Sequence, residues 1–237
     1  MRPMLKTIFS APLLGAALVA LAAVPAQAQE AAEEAAEPAP RAASSYAVID
    51  HDLQADRENI LFLDLSNGQR VAIRLMPDWA PNHVERIKTL TRQGFYDGII
   101  FHRVIDGFMA QTGDPTGTGQ GGSQFPDLEA EFNPMPHVRG TVSMARLGND
   151  EDSANSQFFI VFYPRFSLDR NYTNFGRVIA GMNAVDAIAR GEPPGNPTRI
   201  VQASIATDNK PAPSPAALTT PQEEEITADD LNAPIGE

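Results

Sequence analysis

One segment of the sequence combines a residue that can do chemistry with a loop that can shape a site. The segment FHRVIDGFMAQTGDPTGTGQGG, residues 101–122, places Arg103 among apolar side chains and adds Gln111 before a glycine-rich loop. An arginine guanidinium stays protonated and presents several N–H donors in one plane. A fixed charge of this kind suits electrostatic stabilisation of a reacting group.

The other motifs that commonly carry catalysis or cofactor binding do not fit this sequence. The glycine-rich loop, residues 113–122, lacks the Gly-Lys-Ser/Thr ending of a phosphate-binding loop, and no clear helix follows it. The four histidines show none of the spacings typical of a metal site. The acidic run 149–152 departs from a calcium-binding loop, and no G-x-S-x-G motif occurs. We therefore expect neither a metal nor a cofactor.

The elements that must position these residues are mainly short strands. Two strand-like runs, 59–66 and 69–75, are separated by Asn67-Gly68, which is a strong hairpin signal. Helices are predicted at 80–94 and at 182–190, each followed or ended by a glycine. Few helices among many short strands indicate an antiparallel barrel or sandwich with helical caps. Further strands are predicted at 99–104, 108–112, 140–146, 156–162, 173–179 and 200–206.

Residues 1–28 are typical of a secretory signal peptide. Arg2 and Lys6 give a basic start, an apolar run follows from Ile8 to Val24, and Ala26-Gln27-Ala28 is a small-x-small cleavage site. A membrane-spanning helix is the alternative, but it needs about 20 residues and this run is shorter and contains a proline. We therefore predict export, to a bacterial periplasm, without stable membrane insertion after cleavage.

Two low-complexity segments flank one domain-sized region. Residues 29–45 contain no aromatic or branched aliphatic residue, so we predict a disordered acidic and Ala-rich linker. Residues 210–237 contain five prolines and the run Glu223-Glu224-Glu225, which indicates a disordered Pro/Glu-rich tail. The remaining residues, 46–209, suffice for one domain with a full core.

Charge and cysteine content narrow the classes of partner. The net charge is −12, and it becomes more negative once the two basic signal residues are removed. Nucleic-acid and anionic-membrane binders need clustered lysine and arginine, so we expect no nucleic-acid partner. The chain has no cysteine, which excludes disulfides and thiolate metal sites. We expect an exported, soluble monomer.

The segment 101–122 resembles the signature of the cyclophilin-type peptidyl-prolyl cis-trans isomerases, and the resemblance covers about residues 46–208. It implies a mostly-β fold in which a closed eight-stranded antiparallel barrel is capped by two helices. It also implies an enzyme that accelerates rotation of X–Pro bonds and assists protein folding. The matching motifs are GFYDGIIFHRV (94–104), GTVSMAR (140–146), SQFFIVF (156–162) and SLDRNYTNFGRVIAGM (167–182).

The resemblance also implies a set of site residues. Arg103 matches the family's catalytic arginine, and Gln111 matches its polar partner, which we expect to orient the guanidinium or to hold a substrate carbonyl. Other positions match residues that hold the proline or the flanking peptide. These substrate-binding residues are Phe108, Met109, Ala145, Arg146, Gln157, Phe159, Leu168 and Tyr172.

The chain departs from the family's pattern beside this site. Arg146 stands where many members have asparagine, and Tyr172 where eukaryotic members usually have histidine and bacterial members often have tyrosine. Ser167 occupies a position that is often tryptophan in eukaryotic members, with Phe166 one residue earlier. We therefore predict weak binding of cyclosporin, the cyclic peptide inhibitor associated with the family, because serine lacks the indole's apolar face and N–H donor.

Two alternative functions are open to this sequence, one that uses the same pocket residues and one that uses the segments on either side of the domain. A non-catalytic proline-binding or chaperone module would fill the same pocket without turnover. A scaffold would recruit a partner through its acidic arms, residues 29–45 and 210–237. The combination of Arg103, Phe108 and Gln111 favours the enzyme, since a charged donor beside an apolar pocket stabilises a twisted amide more than a planar one. The expected partners are proline-containing, unfolded or flexible polypeptides.

Overall fold

The computed structural model describes residues 49–218, and its first two strands form the predicted hairpin. β1 spans Ile60–Leu65 and β2 spans Arg70–Leu75. The two strands pair antiparallel, and the Gly68 N–H donates to the Leu65 carbonyl at 2.9 Å. Gly68 has a φ of 81°, which glycine adopts without strain, so the predicted Asn67-Gly68 turn is confirmed.

Eight antiparallel strands form one sheet, which confirms the predicted mostly-β class. The other strands are β3 (Arg103–Ile105), β4 (Met109–Thr112), β5 (Thr141–Met144), β6 (Phe158–Val161), β7 (Asn174–Ala180) and β8 (Ile200–Ile205). Their order across the sheet is β3-β4-β6-β5-β7-β2-β1-β8. This order brings together three motifs that lie far apart in the sequence.

The sheet is curled but open, so the prediction of a closed barrel is wrong. Within residues 49–218, no ladder joins the two edge strands, β3 and β8. β3 instead meets the segment that precedes β8, where Val104 and Gly191 exchange backbone hydrogen bonds of 2.8 and 3.0 Å. Three prolines follow at positions 193, 194 and 197, and they have no N–H to continue a ladder. The strands therefore form a half-barrel.

The two predicted helices are present, and the second is shorter than predicted. α1 spans Pro81–Arg92 and α2 spans Met182–Asp186. α2 does not reach residue 190, because the Ala189 N–H donates to the Thr198 hydroxyl at 3.1 Å and the chain then turns to meet β3. The apolar face predicted for α1 is buried in the core.

The two faces of the sheet bury different clusters of side chains. On β6, Phe158 and Ile160 belong to the main core, which also contains the apolar face of α1. Phe159 and Val161 belong to a smaller cluster with Met109. Since successive side chains of a strand point to opposite faces, this smaller cluster lies on the other side of the sheet from the core.

The predictions for the chain termini are tested only in part. The signal peptide (1–28), the linker (29–45) and residues 219–237 lie outside the described residues. At the predicted start of the tail, Lys210 pairs with Asp97 at 3.2 Å, and Pro215–Leu218 forms one helical turn, α3, where we predicted no regular structure. None of the helices described between residues 49 and 218 is long and apolar enough to cross a membrane.

Candidate active site

Three neighbouring strands place Arg103, Gln111 and Phe159 in one row. Arg103 on β3 lies opposite Gln111 on β4, and Gln111 lies opposite Phe159 on β6. Residues directly opposite each other on antiparallel strands project to the same face of the sheet. The sheet therefore brings Arg103 into one row with Phe159, a residue 56 positions later in the sequence, on the face away from the core.

This row borders a cavity of about 230 Å³. Its lining includes every predicted site residue except Gln157. The residues that line it are Arg103, Phe108, Met109, Gln111, Ala145, Arg146, Phe159, Leu168 and Tyr172. We refer to this cavity as the proline pocket.

The apolar wall of the proline pocket has a buried base and a half-buried opening. Met109, Phe159 and Leu168 are buried, whereas Phe108 and Tyr172 remain half-buried at the opening. The Phe159 and Tyr172 rings meet edge to face with centroids 5.6 Å apart. An apolar ring that enters this pocket loses contact with water against a preformed surface, which favours its binding.

Gln157 lies in a neighbouring cavity of about 310 Å³, formed largely by the glycine-rich loop. Its side-chain amide donates to the carbonyls of Gly119 and Gly121 at 3.1 and 2.8 Å, and it accepts from Gln111 Nε2 at 2.9 Å. Gln111 is therefore bound to Gln157 and makes no hydrogen bond to the Arg103 guanidinium among the described residues. Its alternative expected role, holding a substrate carbonyl, stays a prediction. The two glutamines link the proline pocket to the loop.

The Arg103 guanidinium is oriented instead by Glu192, which we did not predict. Arg103 Nε donates to Glu192 Oε2 at 2.8 Å, and the arginine side chain is 42% exposed. Its two terminal nitrogens have no hydrogen-bond partner among residues 49–218. The two residues are 89 positions apart, and no local pattern in the sequence connects them. One edge of a fixed guanidinium thus stays free to donate at the pocket.

Behind the pocket lies a second feature that we did not predict, a hydrogen-bonded clamp formed by Ser143, His137 and Asp169. The backbone N–H and the Nδ1 atom of His137 lie 2.8 and 2.9 Å from the same Asp169 oxygen. His137 Nε2 lies 2.8 Å from the Ser143 hydroxyl. The imidazole is stacked on Phe159 with centroids 6.5 Å apart, and the His137 carbonyl accepts from the Arg165 N–H at 2.7 Å.

The clamp resembles a nucleophilic triad in its connectivity but has no access to a substrate. Ser143 and His137 are both completely buried. Burial lowers the pKa of His137, while the hydrogen bond to Asp169 opposes that shift. With Nδ1–H donating to the carboxylate, Nε2 accepts from the serine hydroxyl. The arrangement fixes Phe159 and the turn Phe166–Leu168, which are two parts of the pocket wall.

The site contains no arrangement suited to a metal. In the described part of the chain, no group of three or more histidine, cysteine or carboxylate side chains is placed to hold a metal ion. The groups offered to a ligand are the Arg103 guanidinium, two side-chain amides and an apolar wall. Such a set binds and polarises an amide by hydrogen bonding.

Known proteins are similar to this chain over most of the domain. The chain matches the family model described as cyclophilin type peptidyl-prolyl cis-trans isomerase/CLD over residues 62–206. It is 49% identical over 172 residues to a probable peptidyl-prolyl cis-trans isomerase of Brucella suis, a match that covers 66% of this chain and 87% of that protein. Against peptidyl-prolyl cis-trans isomerase B of Bacillus subtilis it is 41% identical over 129 residues, covering 54% and 89% of the two chains.

Solved structures agree with these relatives. The cyclophilin AquaCyp293 from Hirschia baltica is 29% identical with a TM-score of 0.61, covering 70% of this chain and 83% of that one. A Cryptosporidium parvum cyclophilin type isomerase, crystallised in the presence of the dipeptide Ala-Pro, is 28% identical with a TM-score of 0.57, covering 62% and 98%. The family match, the sequence relatives and the shared fold together show that this chain belongs to the cyclophilin-type peptidyl-prolyl cis-trans isomerases.

Proposed function

We propose that Arg103 is the catalytic residue of this isomerase and that the proline pocket holds the substrate's proline ring. The observation that carries the proposal is the free guanidinium edge of Arg103 at the rim of that pocket. The crystal structure of the Cryptosporidium parvum cyclophilin was obtained in the presence of the dipeptide Ala-Pro, which ends in proline. A proline-containing peptide bound here would place its prolyl nitrogen next to the arginine.

To accelerate the rotation, the enzyme needs only to bind the twisted amide more strongly than the planar amide. Amide resonance opposes rotation with a barrier of ~18–20 kcal/mol, and an X–Pro bond populates both isomers. In the twisted state the nitrogen lone pair is localised, and a charged N–H donor binds it more strongly than it binds the planar amide. Arg103 supplies this donor without losing its proton.

Glu192 and the substrate together set the strength of this donor. The Arg103 side chain is partly exposed in the free protein, so water screens its charge there. A bound peptide covers the open edge of the guanidinium and displaces that water, which strengthens the interaction with the localised lone pair. Glu192 holds the guanidinium in place through Nε during this step.

The residues on either side of the pocket hold the peptide flanking the proline. Three residues line both cavities, namely Gln111, Ala145 and Arg146. The Ala145 N–H already donates to the Gln157 carbonyl at 2.9 Å, so its own carbonyl is the backbone group left to bind a peptide N–H. Gln111 offers its amide oxygen in the same way, since its nitrogen donates to Gln157. Holding one side of the amide lets the other side turn.

The direct test is the cis-to-trans relaxation of a short proline peptide with the protein lacking residues 1–28. Relaxation faster than the uncatalysed background supports catalysis. A rate equal to the background, together with measurable peptide binding, would favour the non-catalytic binding module instead. A rate equal to the background without binding would contradict both.

We also propose that the enzyme is exported and assists folding of exported, proline-containing clients. The support is the basic start, apolar run and Ala26-Gln27-Ala28 site of residues 1–28. The test is fractionation of bacterial cells that express the full chain or a chain without residues 1–28. Export predicts a shortened product in the periplasmic fraction for the full chain only. Equal cytoplasmic retention of both chains would contradict it.

A further inference from the structure

The proline pocket carries positive charge on a strongly acidic protein. Its lining includes Arg103 and Arg146 and no acidic residue. A third arginine, Arg165, lies with its guanidinium carbon 4.8 Å from the centroid of Phe108, on the pocket wall. The whole chain has a net charge of −12, so this local excess of arginine is opposite in sign to the molecule as a whole.

Two of these three arginines lack a carboxylate partner. Arg103 is paired with Glu192, but none of the ion pairs between described residues includes Arg146 or Arg165. By contrast, the nearby Arg139 pairs with Asp186 at 2.6 Å. The two arginines at the pocket wall therefore lack a carboxylate that would neutralise their charge, whereas Arg139 on the same part of the surface has one.

Contacts to the pocket's own aromatic rings hold both guanidinium groups in place. The Arg146 guanidinium carbon lies 4.8 Å from the Tyr172 centroid, and Nε donates to the Asn171 carbonyl at 3.0 Å. Its Nη1 donates to the Leu147 carbonyl at 2.8 Å, which leaves Nη2 without a partner among the described residues. A guanidinium over a ring keeps its in-plane N–H donors available, and a held side chain loses less entropy on binding.

We propose that these two arginines select substrates with an acidic side chain immediately before or after the proline. The proposal rests on the proposed function, because it assumes that the proline ring occupies the pocket between Phe108 and Tyr172. A carboxylate next to that proline would lie within reach of Arg146 or Arg165 and accept their free N–H groups.

The size of the preference follows from the exposure of the groups. Arg165 is exposed and Arg146 is half-buried, so a new ion pair at either one is partly screened by water. Exposed ion pairs change an equilibrium by about two- to fivefold. We expect a change of this size in kcat/KM between a peptide with glutamate and the same peptide with glutamine at the selected position.

The experiment uses two pairs of peptides. The members of each pair differ only in having glutamate or glutamine at one position, directly before the proline in one pair and directly after it in the other. kcat/KM is measured for the wild type, Arg146→Gln, Arg165→Gln and the double variant. Arg139→Gln is the matched control, because it removes one positive charge from the same region without touching the pocket wall. Like each single variant, this control makes the protein more negative by one charge. It therefore shows how much of a change in kcat/KM comes from the long-range repulsion between an acidic peptide and an acidic protein.

The wild type should favour glutamate over glutamine by about two- to fivefold in at least one position. The ratio should fall to about one in the double variant and stay at the wild-type value in Arg139→Gln. A wild-type ratio of one or less at both positions overturns the proposal, and so does a preference that survives in the double variant.

Failure of the proposed function is distinguishable from failure of this inference. If none of the peptides relaxes faster than the background, the isomerase proposal fails, and peptide affinities measured by NMR titration replace kcat/KM. Tighter binding of the glutamate peptides that depends on Arg146 or Arg165 still supports the selection. Equal affinity for the glutamate and glutamine peptides overturns it.

Discussion

At the scale of single residues, the site is built around Arg103, whose Nε is hydrogen-bonded and whose two terminal nitrogens have no partner among the described residues. Arg103 is anchored through Nε by Glu192, while Gln111, its neighbour across the strands, is bound to Gln157. The roles of orienting the charge and holding the peptide are thus divided between different residues. This division explains how a partly exposed guanidinium keeps a defined direction.

Ser167 places a small polar side chain beside the proline pocket. It is exposed on the turn Phe166–Leu168, directly before the pocket residue Leu168, and Phe166 is 63% exposed beside it. A tryptophan here would add an apolar face and an N–H donor for cyclosporin. We predict that Ser167→Trp tightens cyclosporin inhibition by about one to two decades, the equivalent of roughly 1.5–3 kcal/mol of apolar burial.

Inhibition of proline-peptide turnover, titrated for the wild type and Ser167→Trp, checks this prediction. Turnover without inhibitor should change far less, because Phe108, Met109 and Phe159 still form the pocket. Equal, tight inhibition of both proteins would refute the interpretation of position 167.

At the scale of elements, the pocket depends on how a turn is fastened to a strand. His137 binds Asp169 at the end of the turn Phe166–Leu168, Ser143 on β5 and the ring of Phe159 on β6. Two walls of the proline pocket are therefore positioned by one buried imidazole. His137 acts as a positioning residue, since it does not line the pocket itself.

We predict that His137→Phe lowers kcat/KM on the order of tenfold, mainly through a higher KM, because displaced pocket walls hold the proline less well. The variant keeps a ring against Phe159 but loses the hydrogen bonds to Ser143 and Asp169. Proline-peptide kinetics at a temperature where the variant is fully folded provide the measurement.

His83 provides a matched control for that variant. It is also completely buried, and its backbone N–H and Nδ1 lie 3.1 and 2.7 Å from one oxygen of Glu131. It lines neither cavity at the site. His83→Phe should lose stability, as His137→Phe does, and should keep the wild-type kcat/KM. An equal loss of kcat/KM in both variants would show that His137 has only a structural role.

At the scale of the whole molecule, three buried histidines make folding stability sensitive to mild acid. Burial lowers the pKa of His83, His102 and His137 below the ordinary value, so all three favour the neutral form in the folded protein. The unfolded chain binds these protons more readily. Their stabilisation is therefore complete above the unfolded pKa of 6.5 and is lost as the pH falls towards the lowered folded values.

We predict that the free energy of unfolding decreases between about pH 7.5 and about pH 5, by up to about 1.4 kcal/mol per pH unit for each histidine. Urea denaturation at several pH values in this interval measures it. The carboxylates with lowered pKa, Glu58, Glu131 and Asp114, have ordinary values of 4.5, 4.5 and 3.8, so they contribute below this interval. A free energy of unfolding that is constant or rises towards pH 5 would contradict the prediction.

Local patterns explain why most of this molecule was predictable from its sequence. The Asn67-Gly68 turn, the buried face of α1 and the alternation that places Phe158 and Phe159 on opposite faces of the sheet depend on neighbouring residues. The site residues are contained in continuous motifs, so a resemblance carried them over with the correct positions. The structure brings nine of the ten to one pocket, with the last beside it.

The features that were missed depend on long-range geometry. Glu192 is 89 positions from Arg103, and Asp169 is 32 positions from His137, so neither pair has a sequence spacing that indicates contact. The open sheet arises where a proline-containing segment meets β3, and sequence alone does not show which segment reaches that edge. Pairings of this kind follow from the folded topology and not from local propensity.

The proline-peptide turnover of Arg103→Ala tests the proposed role of this guanidinium most directly. We predict that this variant folds normally and binds the peptide, but loses roughly a hundredfold in kcat, since a lost preorganised donor costs about 3 kcal/mol in the transition state. Arg103→Lys should also be poor, because lysine lacks the planar fork that binds Glu192 and the prolyl nitrogen together. Near-wild-type turnover by a folded Arg103→Ala protein would contradict the proposal that this guanidinium accelerates the rotation.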